Sequence, residues 1–173
     1  MCFWRPTPSN CHWAILDRVQ VERVQRDGPR PKGARFGSLV HLILRDVDFT
    51  ARSEAIERLA RTLARLLNAT EEEVEAAAHA VASALRHPLL ERARRASRSY
   101  RELPIVIKDD IGGLLDAVID LAFLEDTTWT VVDFKTDAED VQRARNYCRQ
   151  VGWYIHGLQK ATATSARGYL LHV

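Results

Sequence analysis

Residues 112–137 read GGLLDAVIDLAFLEDTTWTVVDFKTD, and the fold is decided there. Two apolar runs rich in Val, Ile, Leu, Phe and Trp flank the polar turn Glu125-Asp126-Thr127-Thr128. That pattern predicts two adjacent β-strands. Each strand carries one acid where an apolar residue belongs, Asp120 and Asp133. Lys135 follows two residues after Asp133, and residues two apart in a strand share a face. Ionised groups inside apolar strands are costly unless they are paired or hold a metal. If the strands pair, the two carboxylates can converge on one divalent cation, and hard oxygen ligands suit Mg²⁺ or Mn²⁺. Lys135 could then orient a water or neutralise charge on a phosphate. The plainer alternative is an Asp133–Lys135 ion pair at a strand end.

Outward from this pair, the chain reads as helices first and further strands later. Val19 and Val21 alternate within residues 15–26, as a strand would, while residues 27–34 (DGPRPKGA) form a loop. From Arg35 to Asp46, Phe36, Leu39, Val40, Ile43 and Leu44 recur at helical spacing, with His41 beside the stripe. A second helix spans residues 53–67, with Ile56, Leu59, Leu63, Leu66 and Leu67 on one face. Thr70-Glu71-Glu72-Glu73 has the form of a capping box and opens a third helix to about Leu85. Pro88 starts a short fourth helix. Residues 100–108 (YRELPIVIK) read as a strand holding Glu102. Residues 139–160 form a long helix with Val141, Ala144, Cys148, Val151, Ile155 and Leu158 on its core face. Residues 167–173 make a last strand. The long helix can serve as a crossover, so at least one strand pair is parallel. The fold class is therefore α/β, a central mixed sheet flanked by α-helices, with an N-terminal helical segment. Residues 1–34 are taken as an extension of poorly assigned structure and residues 35–173 as the functional domain.

Composition excludes several classes. The 173 residues suffice for one domain with a core; 46% hydrophobic and 28% charged residues are ordinary for a globular protein. A net charge of +2 does not mark the whole chain as a nucleic-acid binder. Residues 86–101 do concentrate six Arg against Glu91 alone, either as a solvated helix face or as a phosphate contact. Of the 25 basic residues only Lys32, Lys108, Lys135 and Lys160 are lysines, so a lysine beside a buried acid is a marked choice. Cys2, Cys11 and Cys148 have no metal-ligand spacing and form no even set, which predicts a reducing, cytoplasmic setting. No apolar run approaches the ~20 residues of a membrane span, and no signal-peptide core is read at the N-terminus, so no membrane partner is expected.

Other polar residues are ambiguous singly. His41 could be a core histidine or a ligand, and Glu102 could be a strand-edge charge. Gln150 and Tyr154, one turn apart with Tyr147 on the same side, could be a helix flank. They could equally contact a substrate phosphate or the Lys135 region. In combination they are more specific. Gly37–His41 (GxxxH), Arg101–Pro104 (REL-P), Ala117–Asp120 (AVID), Val131–Thr136 (VVDFKT) and Gln150–Tyr154 (QxxxY) occur in that order. The set resembles the RecB-like nuclease domain of the PD-(D/E)xK superfamily, more narrowly the C-terminal nuclease domain of AddA-type helicase–nucleases. The closest likeness lies in Arg35–Phe49 and Trp129–Asp137, and the resemblance covers roughly residues 17–173.

That resemblance implies a restriction-endonuclease-like core and a Mg²⁺-dependent deoxyribonuclease, with Mn²⁺ able to substitute and exonuclease action favoured over endonuclease. It implies metal ligation by His41, Asp120, Asp133 and the backbone carbonyl of Phe134, with Lys135 as the catalytic lysine. Glu102 would assist at the edge of the metal site, and Gln150 and Tyr154 would support the site and the DNA backbone. Arg92, Arg94, Arg95 and Arg98 could grip flanking phosphates. Ala117 departs from the glycine often found three residues before the first metal Asp. No GxxxxGK[ST] phosphate loop occurs, so ATP hydrolysis by that route is excluded. The reading is a free-standing nuclease or a detached part of a DNA-repair and recombination helicase–nuclease. Its partner is DNA, as a single strand or a duplex end, and it would work with a helicase subunit or the missing helicase part. The cysteines argue against an iron–sulfur subtype. The alternatives are a non-catalytic DNA-binding or scaffold domain on the same fold, and a metal-dependent nuclease acting on RNA.

Overall fold

In the computed structural model, residues 18–25, 30–108, 113–137 and 141–173 are described. The readings of residues 1–17, Cys2 and Cys11 among them, lie outside these, as does the start of the long helix before Val141.

The two apolar runs form the expected hairpin. Strands β3 (Leu114–Glu125) and β4 (Thr128–Lys135) are antiparallel, with Glu125 opposite Thr128 at the turn. Asp126 adopts φ 50° there, a left-handed conformation that Asp tolerates and tight hairpins require. After β4 the chain enters a long helix, α5 (Val141–Thr162), and returns as β5 (Ser165–His172), parallel to β4. Strand β1 (Val19–Arg23), from the segment before residue 35, lies parallel to β5 at one edge. Strand β2 (Arg98–Lys108) lies antiparallel to β3 at the other. The five-stranded sheet thus has the order β1-β5-β4-β3-β2 and is mixed, as expected.

Between β1 and β2 come α1 (Ala34–Asp46), α2 (Ser53–Leu67), α3 (Glu71–Leu85) and α4 (Pro88–Arg95). Their limits follow local chemistry. Thr70 and Glu73 form the capping box of α3, and Glu73 also receives Arg35 of α1 at 2.9 Å, which ties two helices together. Pro88 occupies the first turn of α4, where a missing N–H costs nothing. One position departs from the pattern read in the sequence. Leu66 is 74% exposed, because the stripe of α2 runs through Ile56, Ala60, Leu63 and Ala64 and leaves residue 66 on the far side.

Strand alternation divides the sheet between two cores, with a break in β3 between Ile119 and Leu121, which join opposite cores although two residues apart. Leu121, Phe123, Val132, Phe134 and Leu171 pack under α1–α4. Ile119, Ala122, Val131 and Leu170 pack against Val151, Tyr154, Ile155 and Leu158 of α5. The result is three layers, helices on both faces of the sheet. Gly168 of β5 allows the α5 layer to close, since a Cβ there would fall 2.4 Å from Val151 Cγ1. The β2–β3 ladder continues past Pro104↔Val118 to Lys108↔Leu114. Val106, Leu114 and Val118 along this extension are exposed.

Candidate active site

The site forms where the sheet stops being regular. Strands β3 and β4 pair from the turn as far as Leu121↔Val132, and no further rung follows. Asp120 and Asp133 are the next residues on the two strands. The backbone N–H of Phe134 instead donates to Asp120 Oδ2 at 2.7 Å, so a carboxylate closes the gap where a ladder carbonyl would be. On the other side of β3, the pairs Arg101↔Leu121 and Leu103↔Ile119 bracket Glu102, which is skipped and has φ 50°. A left-handed glutamate inside a strand is strained by about 1 kcal/mol or more. Glu102, Asp120 and Asp133 therefore occupy one row across three neighbouring strands. Like charges side by side destabilise a sheet unless something positive offsets them.

Two positive or neutral partners are in place. Lys135 Nζ lies 2.7 Å from Asp133 Oδ2 and 4.5 Å from the centre of the Tyr147 ring on α5. The contact with Asp133 is ionic and lacks the direction of a hydrogen bond. Oδ2 makes no hydrogen bond among the described residues, although Asp133 is only 2% exposed. His41 Nδ1 lies 3.7 Å from Asp120 Oδ2, and its ring meets Phe134 edge-on. Burial, then the nearby Lys135 charge, lower the His41 pKa, which favours the neutral imidazole with a free lone pair. Burial raises both carboxylates above the usual range, and repulsion from Asp120 pushes Asp133 further. A divalent cation would reverse that cost.

The helices are held to the site by contacts that explain the motifs. Gly37 lies one turn before His41, and a Cβ on it would fall 2.8 Å from Thr136 Oγ1. The glycine lets α1 approach the end of β4, which brings the imidazole to the carboxylates. Arg101 donates to the carbonyls of Leu44 and Val47 and stacks over Phe49 at 4.8 Å, which fixes the C-terminal end of α1 to β2. On α5, Gln150 donates its amide N–H to Tyr154 Oη. Burial holds the Tyr154 phenol at about 12, so it stays protonated. Tyr147 Oη donates to Asp137 Oδ2 at 2.7 Å. Arg101 and Thr136 stand inside the REL-P and VVDFKT motifs and Asp137 follows the second, but the sequence assigned none of them a role. A polar residue beside a strand end signals no particular contact by itself.

The structure brings His41, Asp120, Asp133, Phe134 and Lys135 together, with Glu102 in the same cross-strand row and Gln150 and Tyr154 on the flanking helix. Among the described residues no three His, Cys, Asp or Glu side chains stand grouped as a preassembled metal cage. Lys135 sits on Asp133 and the Phe134 N–H sits on Asp120, so internal donors take up carboxylate oxygens. The donor set nonetheless fits a hard divalent cation: the buried Asp133 carboxylate, the half-buried Asp120 carboxylate and a neutral imidazole. Arg92 is placed elsewhere. It makes a paired contact with Glu125 at 2.9 and 2.6 Å and lies 5.7 and 5.5 Å from the Phe123 and Tyr169 rings. Glu125 is five residues along β3 from Asp120, roughly 16 Å away. Arg92 therefore serves the packing of α4 on the sheet. Arg94, Arg95 and Arg98 are exposed at that same end.

Comparison with known proteins agrees with this geometry. The family description of the PD-(D/E)XK nuclease superfamily matches residues 13–172. The chain belongs to that superfamily. It is 23% identical over 170 residues to an ATP-dependent helicase/nuclease of Staphylococcus haemolyticus, covering 84% of this chain and 14% of that protein. It is 27% identical over 111 residues to the ATP-dependent helicase/nuclease of the same name from Anoxybacillus flavithermus, covering 60% of this chain and 9% of that protein. The chain thus spans a small fraction of the length of the relatives it matches. As a member of the PD-(D/E)XK superfamily it has Asp133-Phe134-Lys135, a D-x-K sequence, on β4, at the point where the sheet parts.

Proposed function

We propose that this PD-(D/E)XK domain hydrolyses DNA phosphodiesters with Mg²⁺, Mn²⁺ substituting, and acts as an exonuclease module alongside a helicase in DNA repair and recombination. The observation that carries this reading is the row Glu102–Asp120–Asp133 at the open end of β3 and β4, with His41 and Lys135 against it. His41, Asp120, Asp133 and the Phe134 carbonyl would hold the cation. When bound, it supplies Lewis acidity toward a phosphate oxygen and lowers the pKa of a water. The protein's own groups do the rest. The Lys135 ammonium, steadied over Tyr147, aligns the attacking water and offsets charge as the phosphorus becomes five-coordinate. Glu102 accepts a hydrogen bond from that water at the edge of the row. Gln150 and Tyr154 supply amide and hydroxyl donors along the DNA backbone. Arg94, Arg95 and Arg98 contribute a sequence-independent, salt-sensitive attraction at the far end of the sheet.

The test is cleavage of linear duplex, single-stranded DNA and RNA by purified variants. Asp133→Ala and Lys135→Ala should each abolish cleavage while circular dichroism stays unchanged. In calorimetric titration with Mn²⁺, Asp120→Ala should weaken binding strongly, whereas Lys135→Ala should leave it largely in place. Full activity in either of the first two variants, or the reverse ranking in the titration, contradicts the assigned roles. Cleavage confined to RNA would favour the RNA alternative, and absence of cleavage in the wild type a binding or scaffold role.

A further inference from the structure

We propose that the recess between the first half of β3 and α5 is a nucleobase pocket, which takes an unpaired base of the strand whose phosphate lies at the candidate active site. The inference rests on the nuclease reading above and names the form of substrate. The recess encloses about 290 Å³ and shares a wall, Gln150 and Tyr154, with the site. Its remaining lining divides by chemistry. Leu115 and Ala117 of β3 and the half-buried Trp153 of α5 offer apolar surface, and Trp153 is braced by His156 in an edge-on contact of 5.9 Å. Asp116, Asn146 and Arg149 form an exposed polar rim. Arg149 Nη2 donates to Asn146 Oδ1 at 3.0 Å, which turns the amide so that its N–H groups remain to donate.

An aromatic wall beside a rim of N–H donors and one carboxylate acceptor, Asp116, matches a nucleobase, which carries both acceptors and N–H donors on its edge. Every base has a π-face to stack, and base carbonyls and ring nitrogens accept hydrogen bonds. Position fixes which base. Tyr147, whose ring carries the Lys135 ammonium, lies seven residues before Tyr154 on α5, about 10 Å along the helix. Neighbouring nucleotides of one strand bridge that span. A base inside a duplex stack cannot enter a recess of this kind without first being flipped out at the cost of unpairing and unstacking, so a single strand or a frayed end is the favoured substrate.

The test is binding of short single-stranded oligothymidylates to the Lys135→Ala protein in Mg²⁺, read by fluorescence anisotropy. An abasic nucleotide is placed at each position in turn. One position should weaken binding about tenfold, equivalent to about 1.4 kcal/mol. In Trp153→Ala the intact oligonucleotide should bind about tenfold more weakly, and the dependence on position should vanish. Trp153→Phe should retain most of it, and Asn146→Trp, which fills the recess from its rim, should abolish it. These two variants decide the matter if Trp153→Ala does not fold. Equal affinity for all abasic positions, no binding of single strands, or a positional loss that persists unchanged without Trp153 overturns the pocket. The nuclease reading fails separately, by absence of cleavage in the wild type.

Discussion

The residue that best shows how little room the site has is Gly37. Replacing glycine by alanine inside a helix normally stabilises it by about 1 kcal/mol. At Gly37 the added methyl would meet Thr136 Oγ1 at 2.8 Å, next to Lys135. Overpacking of this kind costs about 1–3 kcal/mol. Gly37→Ala should therefore lower the urea midpoint and reduce cleavage, whereas Gly37→Ala with Thr136→Ala should recover the midpoint and exceed the single variant. A double variant no better than Gly37→Ala would rule out the clash as the cause. At this scale the sequence was informative about type and silent about contact. Asp120 and Asp133, each set among apolar residues, signalled the carboxylate pair, because charge in a buried stretch of strand has few explanations; Asp116, also on β3, is exposed. The strip of Gln150, Tyr154 and Tyr147 was legible as a candidate contact of the Lys135 region, but not the seat of the ammonium over the Tyr147 ring, nor the left-handed backbone of Glu102. Both depend on how strands distant in sequence meet.

Elements were more legible, because their limits are set locally. The capping box at Thr70, Pro88 and the apolar stripe of α1 each fix a boundary by short-range chemistry, and the observed helices begin where those signals stand. The long helix was legible as a crossover, but its closeness to β5 was not. That closeness depends on Gly168, where a Cβ would fall 2.4 Å from Val151 Cγ1 and 2.8 Å from Ile155 Cδ1. Gly168→Ala must force α5 away from the sheet at a cost of about 3 kcal/mol. Denaturation in urea should show that loss, and Val151→Ala should offset part of it in the double variant, so that the two changes cost less together than their sum. Simple additivity would place the strain elsewhere.

Across the whole molecule, the far end of the sheet is fastened by charge. Glu125 of β3 accepts from Arg92 of α4, from Thr130 of β4 and from Arg167 of β5. These partners, Arg92 foremost, hold its carboxyl at about 2, well below the usual range. The sign follows directly. Stability from this group is complete above the ordinary glutamate range near 4.5 and is lost as pH falls towards 2. Because the cluster is partly exposed, the loss should be about 2 kcal/mol or less. Urea midpoints at pH 7 and pH 2.5 should converge more closely for Glu125→Gln than for the wild type; parallel falls would dissociate acid sensitivity from this cluster. The basic run after Arg86 illustrates the limit of composition here, since one of its arginines turned inward to this acid.

The extended β2–β3 ladder bears on handling of the protein in solution. Val106, Leu114 and Val118 present aliphatic surface to water on a strand pair whose outer member is a sheet edge among the described residues. Such a surface invites edge-to-edge self-association at high concentration. Val106→Lys should suppress concentration-dependent light scattering without moving the melting temperature, so the tendency to precipitate and the strength of the fold should be separately adjustable.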